Sequence, residues 1–202
     1  MYHLYLAATA NGRRPAVMLE ECGIPYTAHK IDLAKGEQRK PEYLALNPQG
    51  TVPVLVEEEG GKKTALGQSG AILLHLAEKT GKFLPKEPAA RATALQWFMM
   101  AQTDAAPTSS AIFFASSMLP DKSPANTQFF EGRFVNMMKV FDQRLGQSAY
   151  LAGAEPTIAD FALITVAAGR QELIDKTPGL DSLKKWLAKM KARPGVAKAL
   201  QL

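Results

Sequence analysis

The chain has 202 residues, 47% of them hydrophobic, enough to bury a substantial core as one large domain or two small ones. Its 24 basic and 19 acidic residues leave a formal charge of +5, a mild excess that suits anionic small molecules and carries no footprint for nucleic acid. One cysteine excludes an internal disulfide, three histidines far apart in sequence offer no metal-ligand spacing, and no apolar run approaches the roughly 18 residues of a membrane span, so a metal-free cytoplasmic protein is expected.

YHLYLA (residues 2–7) reads as a strand; the apolar stretch is short and lacks a preceding basic residue, so it is not an export signal. After the polar turn ATANGRRP (8–15), RRPAVMLEECG (13–23) reads as a helix with Val17, Met18 and Cys22 on one face, Asn11 as N-cap and Gly23 as the stop. YTAHKIDL (26–33) is a second strand, and the polar stretch to residue 50 holds a short helical piece. TVPVLVEEEGGKKTALG (51–67) reads as two strands joined at Gly60-Gly61, and QSGAILLHLAEKTG (68–81) as a helix with Ser69 as N-cap and Gly81 as stop. The order βαβ, helix, ββα makes residues 1–81 a small α/β domain.

KFLPKEP (82–88) is a Pro-bearing connector, after which strand signals vanish. Residues 89–202 read as an all-helical domain, with helices at 89–118, 126–147, 157–175 and 179–192.

Three features of the first domain point to chemistry. Thr9 and Asn11 flank the start of the first helix, where free N–H groups and an Asn amide can stabilise an anion. In NPQGTVPVL (47–55), Pro53 falls at a strand start; a cis Val52–Pro53 bond would turn the N–H and C=O of Val52 outward to pair with a peptide-like ligand. In GQSGAI (67–72), Gln68 and Ser69 open another helix, whose N–H groups and Ser69 hydroxyl suit a carboxylate. Each has a plain structural reading beside it: a cap and turn, an edge-strand proline, a capped helix. Together they describe backbone pairing between a carboxylate receptor and an anion-stabilising helix start. Glutathione, a tripeptide with two terminal carboxylates and a central thiol, fits that description. No residue of the opening turn is a nucleophile, and the ligand's sulfur would supply one.

The residues TANG, KIDLAKGEQRKPEYLALNPQGTVPVL and QSGAILLHLAEKTGKFLP resemble the cytosolic glutathione transferases, and are most similar to their bacterial Nu class. YLAGAEPTIADFAL matches the superfamily's capping-box element, with Thr157 as N-cap, Asp160 three residues on and a Pro156–Phe161 staple. The resemblance implies a thioredoxin-like N-terminal domain followed by an all-helical C-terminal domain, a homodimer, and a glutathione site between subunits. It places Thr9 and Asn11 on the glutathione sulfur, Val52 on its backbone after cis-Pro53, Gln68 and Ser69 on its γ-glutamyl end, and Gln38 and Thr51 toward its other end. It also implies a second substrate: a small electrophile, disulfide or peroxide. Reduction is expected to be stronger than transfer to aromatic electrophiles.

Some positions depart from the family pattern. Ala10 replaces a frequent Pro, Gln68 a common Glu and Thr51 a frequent basic residue, and Arg133 is the candidate for an Arg reaching the site from the partner subunit. These departures lower the expected glutathione affinity and keep open a non-catalytic binding or interaction role. Rival chemistry is weaker. Tyr5 lies inside the first strand, Cys22 stands at the wrong end of its helix for a lowered pKa, and Ser109 and Ser110 have no His and Asp partners. The run IFFASSM (112–118), with Met99 and Met100, reads as helix core or as an apolar lining for a second substrate.

Overall fold

Alternation in YHLYL sends Leu4 and Leu6 to one face, and the computed structural model, which describes residues 1–202, buries both completely on β1 (Tyr2–Leu6). α1 (Ala10–Cys22) follows, ended by Gly23 in the left-handed conformation. β2 (Thr27–Lys30) pairs parallel to β1 and is shorter than its sequence pattern. The carboxylate of Asp32 accepts from the N–H groups of Ala34 and Lys35 at 3.0 and 3.1 Å, a turn that takes the chain off the sheet edge. A 3-10 turn (Glu37–Arg39) and α2 (Pro41–Leu44) lead to β3 (Val54–Glu59) and β4 (Lys62–Gly67), joined by Gly60 and Gly61, both at positive φ as a tight hairpin requires. The strands form one mixed sheet, β2-β1-β3-β4, with both β1–β3 and β3–β4 antiparallel. α3 (Ser69–Thr80) packs on α1, completing the thioredoxin-like arrangement that the resemblance implies.

The chain divides into two compact units, Met1–Leu84 with Ala192–Leu202, and Pro85–Lys191. Residues 192–202, read from sequence as part of the helical domain, therefore group with the sheet. The cause is local. α10 (Pro194–Ala199), a helix that the sequence pattern does not announce, lies on α1, where the Glu21 carboxylate accepts from Arg193 Nε at 3.0 Å and from the Val196 N–H at 3.2 Å. A Cβ at Gly195 would stand 3.0 Å from the Glu21 backbone nitrogen and 3.1 Å from the Glu20 carbonyl carbon, so glycine suits this close approach of the two helices.

The second unit is entirely helical. α4 (Pro88–Met99) and α5 (Ala106–Phe113) form one helical run with π-helical stretches at Met100–Ala105 and Phe114–Met118. Pro107 offers no N–H to the preceding turn, and the first widened stretch ends at Ala105, two positions before it. α6 (Pro124–Gln147) follows, and the single helix expected at 157–175 is α7 (Ile158–Gly169) and α8 (Gln171–Lys176). The break is at Arg170, whose side chain turns to Ser109, donating from Nε to its Oγ at 2.9 Å. Thr157 and Asp160 form the capping box of α7. The Asp160 carboxylate also accepts from the Leu151 N–H at 3.1 Å and from Trp186 Nε1 on α9 (Asp181–Lys191) at 3.0 Å. Burial pushes this carboxyl above the usual range against the pull of those donors. No helix is long and apolar enough to cross a membrane.

Candidate active site

The start of α1 is set by Thr9, not Asn11. Thr9 is the N-cap, its Oγ1 accepting from the Gly12 N–H at 3.0 Å, and Asn11 is exposed one turn position inside the helix. The helix begins hard against the end of β1: a Cβ on Gly12 would lie 2.2 Å from the Ala7 carbonyl oxygen. Gly12 thus permits a turn so tight that the amide of Asn11 and the hydroxyl of Thr9 stand at the C-terminal end of the central strand.

The second wall is the loop before β3. Asn47 and Tyr43 hold it, donating to the Thr51 carbonyl at 2.7 and 2.8 Å, and Asn47 also reaches the Thr51 hydroxyl at 3.2 Å. The Val52–Pro53 peptide bond is cis, and neither the N–H nor the C=O of Val52 is hydrogen-bonded within the chain. A free donor and acceptor on one residue beside a sheet can pair with an extended peptide.

The third wall is the start of α3. The N-cap here is Gln68, and Ser69 is the first helical residue, one place later than its sequence role as cap. Gln68 takes a left-handed φ of 67°, a region that costs a non-glycine residue of order 1–3 kcal/mol and recurs at functional sites. It makes no side-chain cap, so the first N–H groups of α3 keep their capacity for an anion, and its Nε2 donates instead to Gln49 Oε1 at 2.9 Å.

These walls enclose a cleft of about 170 Å³ lined by Asn11, Gln49, Thr51, Val52, Pro53, Gln68 and Ser69. Six of the residues read from sequence as a site are brought together there. Thr9 is the cap of α1 and is not among the lining residues, and Gln38 lies on the 3-10 turn outside the lining, its Oε1 buried without a partner. Gln49 lines the cleft and was not singled out, although it stands two residues before Thr51 in the same NPQGT stretch.

The rivals fall elsewhere. Tyr5 stacks on His29 and meets Tyr43 edge-on, packed among Val54 and Val56 on the sheet face. Cys22 is buried and burial pushes its thiol up, away from reactivity. The hydroxyl of Ser109 accepts from Arg170, and that of Ser110 donates to the Ala106 carbonyl. His3 and His29, remote in sequence, meet at 3.1 Å because β1 and β2 are neighbours, yet no three His, Cys, Asp or Glu side chains converge to hold a metal.

The model of the glutathione S-transferase N-terminal domain matches residues 10–79, and that of the C-terminal domain residues 109–201. The disulfide-bond oxidoreductase YfcG of Escherichia coli is 34% identical over 204 residues, which span 99% of this chain and 94% of that protein. This chain belongs to the glutathione S-transferase family. Among solved members, a glutathione transferase of Burkholderia graminis superposes with a TM-score of 0.91 at 28% identity, covering 99% of this chain and 87% of that one, and holds two glutathione molecules per subunit. Another from Pseudomonas putida superposes with a TM-score of 0.87 at 28% identity, covering 100% and 91%, and holds one glutathione disulfide per subunit. Family membership accounts for the division of labour within the chain, a sheet unit carrying the cleft and a helical unit following it.

Proposed function

We propose that this protein is a glutathione-dependent enzyme of Nu-like character that activates the glutathione thiol, reducing disulfides or peroxides and conjugating electrophiles. The observation that carries the reading is the cleft itself: the unpaired backbone of Val52 lines it together with Asn11 from the start of α1 and Gln68 and Ser69 from the start of α3. Glutathione laid along Val52 places its γ-glutamyl carboxylate at Ser69 and its cysteine at Asn11 and Thr9. YfcG, named for disulfide-bond oxidoreduction, and the glutathione-holding structures support the same assignment.

A free thiol with a pKa near 8.5 is mostly protonated at neutral pH. A charge-assisted hydrogen bond contributes about 1.5–3 kcal/mol, and a shift of one unit needs about 1.4 kcal/mol, so the Asn11 amide and Thr9 hydroxyl suffice to ionise the thiol. In reduction the thiolate attacks one sulfur of the disulfide and forms a mixed disulfide, and the departing thiolate takes up a proton. A second glutathione thiolate then attacks the mixed disulfide, releasing glutathione disulfide and the second thiol. No nucleophile of the protein is consumed. The homodimer and an Arg133 contribution from the partner subunit belong to this reading, as does a cytoplasmic setting that keeps glutathione reduced; Arg133 is exposed on α6.

Calorimetric titration with reduced and oxidised glutathione, followed by coupled assays with a dialkyl disulfide and a chloronitrobenzene, tests the proposal. Binding with faster disulfide reduction than conjugation is the expected result. Absence of binding at millimolar glutathione overturns it and leaves a binding or interaction module.

A further inference from the structure

Arg14 is 1% exposed, inside the second turn of α1, and donates from its guanidinium to Ser69 Oγ at 2.9 Å. A guanidinium has donors and no acceptor, so the Ser69 oxygen is the acceptor in this pair and its own hydrogen must point elsewhere. Ser69 is 7% exposed, and its hydroxyl donates to no group of the chain. A hydroxyl with an unspent hydrogen at the wall of a cleft is available to whatever acceptor enters there, solvent water or a ligand. Burial pulls the Arg14 guanidinium down to about 10, so the charge behind Ser69 persists at neutral pH. Positive charge and an oriented hydroxyl at one spot select an anion, and a rigid fork holds a single serine rotamer better than a lysine does.

We propose that Arg14 is a positioning residue for carboxylate recognition, acting through Ser69: it holds the serine oxygen from behind so that the hydroxyl hydrogen is aimed at a ligand carboxylate in the cleft. The inference deepens the glutathione reading and rests on it.

The test compares glutathione with γ-aminobutyryl-cysteinyl-glycine, which lacks the glutamyl α-carboxylate, on the full-length protein and on Arg14→Met, Arg14→Lys, Ser69→Ala and the Arg14→Met/Ser69→Ala double variant. Arg14→Met is expected to weaken glutathione binding about tenfold and analogue binding less than twofold, to raise KM for glutathione and to leave kcat unchanged. Arg14→Lys is expected to recover part of that loss. The double variant should bind glutathione no more weakly than Ser69→Ala, because Arg14 acts through the serine. Equal losses for both ligands, or a double-variant loss equal to the product of the single ones, would overturn the proposal. If Arg14→Met does not fold, Arg14→Lys decides: at least a threefold loss for glutathione relative to the analogue supports the proposal, and unchanged discrimination overturns it. A wild-type protein that binds neither ligand overturns the functional reading, whereas one that binds both equally overturns only the assignment of a carboxylate to Ser69.

Discussion

Tyr43 donates its phenolic hydrogen to the carbonyl oxygen of Thr51 at 2.8 Å, pinning the peptide that leads into Val52. The ring is 3% exposed and burial pushes the phenol up to about 12, so the donor is present throughout the physiological range. Tyr43→Phe is expected to cost about 1 kcal/mol of stability in urea unfolding and to raise KM for glutathione several-fold with kcat unchanged, Asn47 still holding the carbonyl. A matching fall in kcat would place Tyr43 in the chemistry itself.

Thr9 and Asn11 separate stability from turnover. Thr9 caps α1, so Thr9→Ala should lower stability by about 1 kcal/mol as well as slowing turnover. Asn11 is exposed and caps nothing, so Asn11→Ala should remove most turnover at an unchanged melting temperature. Melting curves and initial rates on the two variants check both statements, and undiminished turnover in Asn11→Ala sinks the assigned role.

Asp160 is completely buried and accepts from Thr157, Leu151 and Trp186. Asp160→Ala strands these buried donors, each unsatisfied group costing about 1–3 kcal/mol, so a total loss of roughly 3–5 kcal/mol is expected. Denaturant unfolding followed by tryptophan fluorescence measures it; a loss below about 1 kcal/mol would mean that water replaces the carboxylate.

Glu57 gives the acid side of the stability profile. Burial opposes its ionisation, but Lys79, His75 and Tyr2, all hydrogen-bonded to it, outweigh that and hold the carboxyl below its ordinary value of 4.5. A depressed folded pKa means stability that is present above the unfolded value and lost as pH falls through the folded one. The melting temperature should therefore drop more steeply below about pH 4.5 in the wild type than in Glu57→Gln. Parallel curves would show that the network holds no net preference for the charged form.

The order of strands and helices was legible because it rests on local patterns: alternation in β1, the glycine pair between β3 and β4, and the Thr157–Asp160 box. The residues that line the cleft were legible as three separate helix or strand starts, yet the cap positions slipped by one or two residues, since Thr9 and Asn11 are both good capping types. Arg14 was readable in principle. It stands three and four residues before Val17 and Met18, on the same buried stripe, and a charged residue on such a stripe asks for a partner. The meeting of His3 with His29 and the return of α10 to α1 depend on pairing across the chain, which no local window contains.

That return has a consequence in time. Residues 192–202 leave the ribosome after the whole helical unit, but their partners Glu20 and Glu21 lie on the first helix. The nascent sheet unit therefore waits for the rest of the chain before it can close its own packing, and the helix that opens the cleft, already backed by α3, receives its brace from α10 only at the end.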